Sequence, residues 1–279
     1  MTVVQINMRF PGFLKKALTL SYDDGVDTDI KMIEILNKYG IKGTFNLNSG
    51  LFSELPRSAD NDHYFYHLTK KQALELYTVS GHEVAVHTRT HPFLEKLSPE
   101  EIAREIMEDR RVLEEMFGVV VRGMAYPFGT YDDRVVNIAA ACGIAYSRTV
   151  VSTGCFDIPT DWFHMNTTCH HNDSNLMKYA TDFVDANIER PLLFYLWGHT
   201  YEFRSDNNWH VIEDFCRKVG NRSDVWYATN IEVYDYVEAF NSLSFSADYS
   251  LVYNPSVISV CFEKDGVEYC AAGGKTTKL

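Results

Sequence analysis

A chain of 279 residues, 46% of them apolar, can bury a full core in one large domain, or in one domain with a small appendage. The formal net charge is −12, from 26 Lys+Arg against 38 Asp+Glu with no basic cluster, so nucleic acid and membranes are not expected partners. No run reaches the ~20 apolar residues of a membrane span. Residues 1–20 have no apolar segment behind a basic one, and six cysteines lie scattered without a C-x-x-C pair, which together predict a cytoplasmic protein.

Short apolar runs alternate with helical patterns along most of the chain. "ALTLSY" (17–22) reads as a buried strand, followed by a helix around 28–39 with Ile30, Ile33 and Leu36 on one face. "GTFNLN" (43–48) is the next strand. Thr69 can cap a helix reaching Val79, and "EVAVH" (83–87) alternates as a strand. "SPEE" (98–101) starts a helix, with Ser98 as N-cap, Pro99 at the first position and Glu101 closing a capping box; Gly118 ends it.

"VVVRGMAY" (119–126) predicts a fourth strand, and a helix around 133–142 ends at Gly143. "IAYSRTV" (144–150), "LLFYLW" (192–197) and "VWYA" (225–228) add three more strands, with helices near 208–219 and 231–241. Such alternation implies parallel strands joined by crossovers, and seven units point to an α/β fold of distorted (β/α)7 barrel type, spanning 1–241. Past 241 the pattern turns to short strands with Asn254-Pro255 and the hairpin signal Asp265-Gly266, so 242–279 is expected to be a small β appendage packed on the barrel.

In barrels of this kind the site lies at the C-terminal ends of the strands. "SYDDG" (21–25) puts Asp23 and Asp24 there, and "HTRTH" (87–91) puts His87 and His91 after the third strand. "YPFGTYD" (126–132) follows the fourth strand, and "WGHT" (197–200) brings His199 after the sixth. One aspartate and two histidines make the three-ligand set of a catalytic divalent ion with a place left for water. The other aspartate accepts the water's proton, and His199 protonates the leaving group, in a metal-assisted hydrolysis of an amide or ester.

These stretches resemble the polysaccharide deacetylases of carbohydrate esterase family 4, which share the NodB homology domain. Ser21-Tyr22-Asp23-Asp24-Gly25 is similar to the family's first motif, T-[FY]-D-D-G, and His87-Thr88-Arg89-Thr90-His91 to its second, H-[ST]-x-x-H. Leu196-Trp197-Gly198-His199 is similar to L-x-x-H, and Asp161-Trp162 to the D-W of the fourth motif. The resemblance implies that Asp23 is the base, that Asp24, His87 and His91 hold the metal, and that His199 is the acid, oriented by Asp161. Zinc is the first expectation for the ion, with Co2+, Mn2+, Ni2+ or Fe2+ as alternatives.

The third motif departs from the family's R-x-P-[YF]-G. Here Ala125-Tyr126-Pro127-Phe128-Gly129 places alanine where an arginine would hold the base, and Arg122 lies three residues earlier on the same strand. Either Asp23 titrates without an arginine partner, and is then less acid-shifted than in relatives with that arginine, or another group supplies the charge. The backbone N–H of Phe128 still serves as oxyanion donor. Tyr126, Pro127, Trp162, Trp197 and His171, the last from "TTCHHND" (167–173), are expected to meet substrate; Tyr22 and Tyr131 are further aromatic candidates.

The expected function is removal of an acetyl group from an N- or O-acetylated carbohydrate, with a small non-sugar amide as the alternative substrate. A non-haem Fe(II) oxygenase uses the same ligand set but carries H-x-[DE] first, on an antiparallel barrel. A sugar-binding barrel without catalysis is the reading that Ala125 suggests; retention of Asp23, Asp24, His87, His91 and His199 favours the enzyme. No G-x-S-x-G elbow, P-loop or G-x-G-x-x-G occurs, and nothing in the sequence fixes the oligomeric state.

Overall fold

The run Lys16–Asp23 is buried at every position, and so is Leu192–Gly198, the pattern of strands covered on both faces. In the computed structural model, which describes residues 4–55 and 65–279, these two segments lie side by side at the centre of a nine-stranded sheet. In chain order the strands of the protein are β1 (Ile6–Arg9), β2 (Lys16–Asp23), β3 (Thr44–Leu47), β4 (Glu83–Val86) and β5 (Gly123–Ala125). They continue with β6 (Tyr146–Ser152), β7 (Met165–Thr167), β8 (Cys169–His170), β9 (Leu192–Gly198) and β10 (Val225–Tyr227). The large sheet runs β7-β6-β5-β4-β3-β2-β9-β8, with β10 also on β2, and every pairing in it is parallel.

The expected α/β architecture is present, and its curvature shows in the sheet's two ends. β7 pairs with β6 and β8 pairs with β9, yet β7 and β8 are consecutive, separated by Thr168 alone. One extended segment thus bridges the two margins of the sheet. The ladder itself is an open path of strands.

Helices α1 (Asp29–Lys38), α2 (Lys70–Thr78), α3 (Pro99–Phe117), α4 (Asp133–Ala141), α5 (Leu176–Asp185), α6 (Thr200–Ser205), α7 (His210–Val219) and α8 (Asn230–Asn241) supply the crossovers and cover. Ser98 caps α3 reciprocally with Glu101, and Gly118 closes that helix with φ 66°. Among the described residues no helix is long and apolar enough to cross a membrane.

Several local expectations need correction. The fourth strand begins at Gly123 rather than 119, because Val119 and Val120 have no sheet partner and stay exposed. Met165–His170 and α5 were not predicted: the former carries Asn, Thr, Cys and His rather than an apolar run, and the latter lies between the sequence's clearer signals. The strand Ile6–Arg9 was also missed, although it lies on the barrel side of the expected 241/242 boundary.

That strand belongs to the C-terminal part. β13 (Val260–Lys264) pairs antiparallel with both β1 and β14 (Val267–Ala271). β11 (Ser244–Phe245), β12 (Leu251–Tyr253) and β15 (Thr276–Lys278) form a second small sheet. The β13–β14 turn is Asp265-Gly266, both with positive φ (51° and 84°), as a type I′ turn requires. Tyr236 on α8 clamps the unit: its hydroxyl donates to the Arg9 carbonyl (2.7 Å) and accepts from the Cys261 N–H (2.8 Å).

Removing residues 243–279 should therefore do more than delete a tail. β1 loses its partner, Ile6 and Phe240 lose the apolar surface that Phe262 and its neighbours provide, and the cluster around Met8 loses Ile258. We expect a loss on the order of 5 kcal/mol, two to three buried side chains' worth. In a thermal melt this is a fall of about 10–20 °C. An unchanged midpoint would show that the C-terminal sheets contribute little to holding the barrel together.

Candidate metal and catalytic site

Because all strands of the large sheet are parallel, their C-terminal ends share one side of the molecule. Asp23 and Asp24 leave β2 there, His87 leaves β4, Tyr126 to Phe128 follow β5, and His199 follows β9. A cavity of about 260 Å³ opens among them, lined by Asp23, Asp24, His87, His91, Tyr126, Phe128, Trp197 and His199 among others.

The two histidines of "HTRTH" are on neither a helix nor a strand face. Thr88 (φ 65°) and His91 (φ 56°) are left-handed, and so are Asp24 (φ 81°) and Phe128 (φ 56°). Four such non-glycine residues around one cavity mark a backbone bent to aim its side chains. The result brings His87 Nε2 to 3.8 Å and His91 Nε2 to 3.9 Å from Asp24 Oδ1. The three ligand atoms lie within 4.8 Å of one another. Small adjustments let an ion with bonds of about 2.1 Å bridge them.

The surroundings fit a cation. His87 Nδ1 is 2.8 Å from the Ala125 carbonyl, which assigns the ring proton there and leaves the Nε2 lone pair toward Asp24. The His87 N–H donates to Asp109 Oδ2 (3.1 Å), a buried carboxylate of α3 that also accepts from Ser49 N–H (2.6 Å). Burial holds both His87 and His91 below the usual imidazole range, so both rings are neutral at pH 7. Burial also pushes the Asp24 carboxyl up to about 6, opposed by His199 and reinforced by Asp23. A half-buried carboxylate beside a second carboxylate and two neutral imidazoles is a site short of positive charge.

Asp23 shows what replaces the missing arginine. Arg148 of β6 donates Nη2 to Asp23 Oδ2, and its guanidinium lies 4.4 Å from the Trp197 ring centre. In the ladder Arg148 is the register partner of Ala125. The charge therefore comes from the neighbouring strand, beside the alanine that stands at the arginine's place in the motif. Asn46 Nδ2 donates to the other oxygen, Oδ1, at 2.8 Å. Burial alone would raise the Asp23 carboxyl; Arg148, then His87, His199 and Asn46, outweigh it and hold it well below the usual carboxylate range. The expectation of a less acid-shifted Asp23 is corrected. Arg122 plays no part, being paired with Asp235 by two hydrogen bonds (3.0 and 2.6 Å).

His199 Nε2 faces Asp23 Oδ2 at 3.9 Å, and its Nδ1 is 3.0 Å from Glu202 Oε1, one turn along α6. Asp161, expected in that role, instead caps the turn at Phe163 (3.0 Å) and holds His164 Nδ1 at 2.7 Å on the wall of a different cavity. The D-W resemblance therefore does not place the orienting carboxylate. Trp162 is corrected with it: its Nε1 donates to Glu238 (2.9 Å) and its ring packs on Tyr234, away from the cavity.

His171 is also corrected as a substrate contact. It is wholly buried, stacked on Phe203 with centroids 4.0 Å apart. It fills the space beside Gly198, where an added Cβ would meet its Nδ1 at 1.9 Å, so position 198 requires glycine. Tyr22 is core. Pro127 is buried in the turn beneath the cavity, while Tyr126 and Trp197 line it. Tyr131 stacks on Tyr126 at 4.5 Å. Phe128 stands at the mouth, half exposed, with Phe93 stacked on it at 3.9 Å, a contact the sequence reading did not foresee.

Residues 12–147 match the family model described as polysaccharide deacetylase, a span that ends before β9, His199 and Glu202. Chitin deacetylase 1 of Cryptococcus neoformans is 31% identical over 131 residues, 47% of this chain and 25% of that protein. A peptidoglycan-N-acetylglucosamine deacetylase of Bacillus cereus is 28% identical over 123 residues, 43% of this chain and 39% of its own length. The chain thus spans well under half of either relative. Among solved structures, a family 4 carbohydrate esterase from Streptomyces lividans superposes with a TM-score of 0.51 at 14% identity, covering 77% of this chain and 93% of that one; it shares the fold. The motif order and the matched span agree, and the fold is NodB-like: residues 12–147 of the chain are similar to the polysaccharide deacetylase family.

Proposed function

We propose that the protein is a metal-dependent deacetylase that hydrolyses the acetamido group of an N-acetylated carbohydrate. One observation carries this most: the Asp24–His87–His91 triad, the Arg148-held Asp23 and the Glu202-held His199 face one cavity of about 260 Å³. That volume takes an acetamido group and the adjoining sugar edge. The chitin and peptidoglycan N-acetylglucosamine deacetylases it resembles are named for substrates of this class.

A divalent ion held by Asp24, His87 and His91 would supply Lewis acidity to the acyl carbonyl and lower the pKa of a water. Asp23 Oδ2, kept ionised by Arg148, accepts that water's proton. Burial lowers His199, but Glu202, Asp23 and Asp24 outweigh burial and raise it from the ordinary imidazole value, which favours the charged form. Its Nε2 delivers a proton to the leaving amine nitrogen, while Glu202 retains the Nδ1 proton. The Phe128 backbone N–H donates to the carbonyl oxygen as charge builds on it. Tyr126 and Trp197 wall the cleft, and Phe128 offers an apolar lip against the sugar.

The test is hydrolysis of N-acetylated oligosaccharides, with release of acetate and free amine measured in parallel with simple non-sugar amides. Turnover of the amides alone would overturn the carbohydrate assignment and keep the hydrolase. Glu202→Gln checks the acid. It should lower kcat by about 10²-fold with KM little changed. Since Glu202 raises the folded His199, its loss should move the alkaline limb of kcat/KM to lower pH. A limb that stays in place would remove Glu202 from the mechanism.

A further inference from the structure

The deacetylase reading uses His199 and Glu202 but gives no task to the two histidines packed behind them. Glu202 Oε2 is 3.2 Å from His170 Nε2 and 2.9 Å from His171 Nε2, its Oε1 is 3.0 Å from His199 Nδ1, and Asn172 Nδ2 donates to Oε2 at 3.3 Å. Three imidazoles thus converge on one carboxylate. Neither ring nitrogen of the wholly buried His171 has a well-directed hydrogen-bond partner, despite the short approach of Nε2 to Glu202. A buried polar atom left in this state is costly, and it marks the cluster as incompletely satisfied.

One ligand atom each from His170, His199 and Glu202 lies within 4.8 Å of the others. Two imidazoles and a carboxylate are a donor set suited to zinc. Burial, then the neighbouring His171, pushes His170 down to about 4, so the ring is neutral at neutral pH, with its one lone pair on Nδ1 turned to the Asn172 N–H.

We propose that His170, His199 and Glu202 form a second divalent-metal site, of zinc type, whose filling switches the enzyme off. Binding at this site does not depend on the deacetylase reading; the switch does. His199 faces both sites, Nε2 toward Asp23 and Nδ1 toward Glu202. An ion on Nδ1 displaces the proton that Glu202 holds there. The ring can then no longer become the imidazolium that donates from Nε2, and the acid is lost.

The second site is the weaker. His170 Nδ1 accepts the Asn172 backbone N–H at 3.1 Å. Coordination through Nε2 moves the ring proton onto Nδ1 and breaks that hydrogen bond, and Glu202 must give up the His199 proton as well. The first equivalent of metal therefore fills Asp24, His87 and His91, and excess metal fills the second.

Equilibrium dialysis of the metal-free protein against zinc chloride should give two equivalents, the second at higher free zinc. His170→Gln should bind one and keep basal turnover; His91→Ala should keep only the weaker one. A cobalt titration followed by visible absorption should be biphasic in the wild type and monophasic in His170→Gln, with His170→Asn as a second variant should the first fold poorly. Zinc beyond one equivalent should depress wild-type kcat by about 10²-fold, the scale of a lost general acid, and leave His170→Gln unaffected. Saturation of the wild type at one equivalent, or two equivalents in His170→Gln, overturns the site. Two equivalents with undiminished turnover overturn the switch, and leave the deacetylase reading to be judged on its own assay.

Discussion

Asp23→Asn should lower kcat by ~10²- to 10⁴-fold, the usual worth of a general base, while the metal stays bound and KM changes little. Asparagine is nearly the same size and still accepts one hydrogen bond from Arg148, but it takes up no proton. The substitution also leaves the guanidinium of Arg148 buried without its counter-charge; both side chains are at most 3% exposed. Breaking a buried pair by removing one partner costs about 3–5 kcal/mol, and a lower denaturation midpoint should accompany the loss of turnover. The two readouts are separable: metal stoichiometry and KM report an intact site, and the midpoint reports the stranded arginine. Turnover like that of the wild type would remove Asp23 as the base, and with it most of the proposed proton path.

The Arg148 arrangement shows where reading the sequence stops. The motif around "AYPFG" is local, and at position 125 it holds alanine, so along the strand the base has no cation. The partner sits 23 positions later, and only the parallel register that sets Ala125 beside Arg148 reveals it. A signal was present in "IAYSRTV", where one arginine interrupts an apolar strand. An arginine in such a place is almost never fully buried unless it is paired. It finds its carboxylate at the end of β2, across the curled sheet.

The same limit explains Asp161 and Glu202. Asp161-Trp162 resembles a known pair, but the chain after β6 carries it to a turn where its own neighbour His164 occupies the carboxylate. Glu202 is three residues beyond His199, and with α6 unrecognised nothing in the sequence put the two on one face of a helical turn. Burial was equally hidden for His171: "CHH" reads as a polar loop, while in the fold it pairs with β9 and packs behind Gly198. What was legible followed from strand order. Four loops after four parallel strands had to share one end of the sheet, and they brought Asp23, Asp24, His87, His91 and His199 around one cavity.

His91→Ala should abolish the tight phase of metal binding and lower turnover by about 10³-fold, the several kcal/mol that a Lewis acid contributes. Of the two imidazole ligands His91 is the better probe. His87 is wholly buried, and its ring and backbone are tied to Ala125 and Asp109, so its loss would confound ligation with folding. The His91 side chain is 21% exposed and approaches Asp24 from the open side of the cavity. Alanine there should leave the fold and the Asp23–Arg148 pair in place. Affinity should fall by more than ~100-fold, the upper end of what a lost outer-shell partner alone costs. Excess metal should return only part of the activity, because it also reaches the second cluster around His199. The double variant His91→Ala/His170→Gln isolates the two effects and should bind no zinc at micromolar concentration. Tight stoichiometric binding that survives in His91→Ala would mean that other residues hold the catalytic ion, and the assignment of Asp24, His87 and His91 would fall.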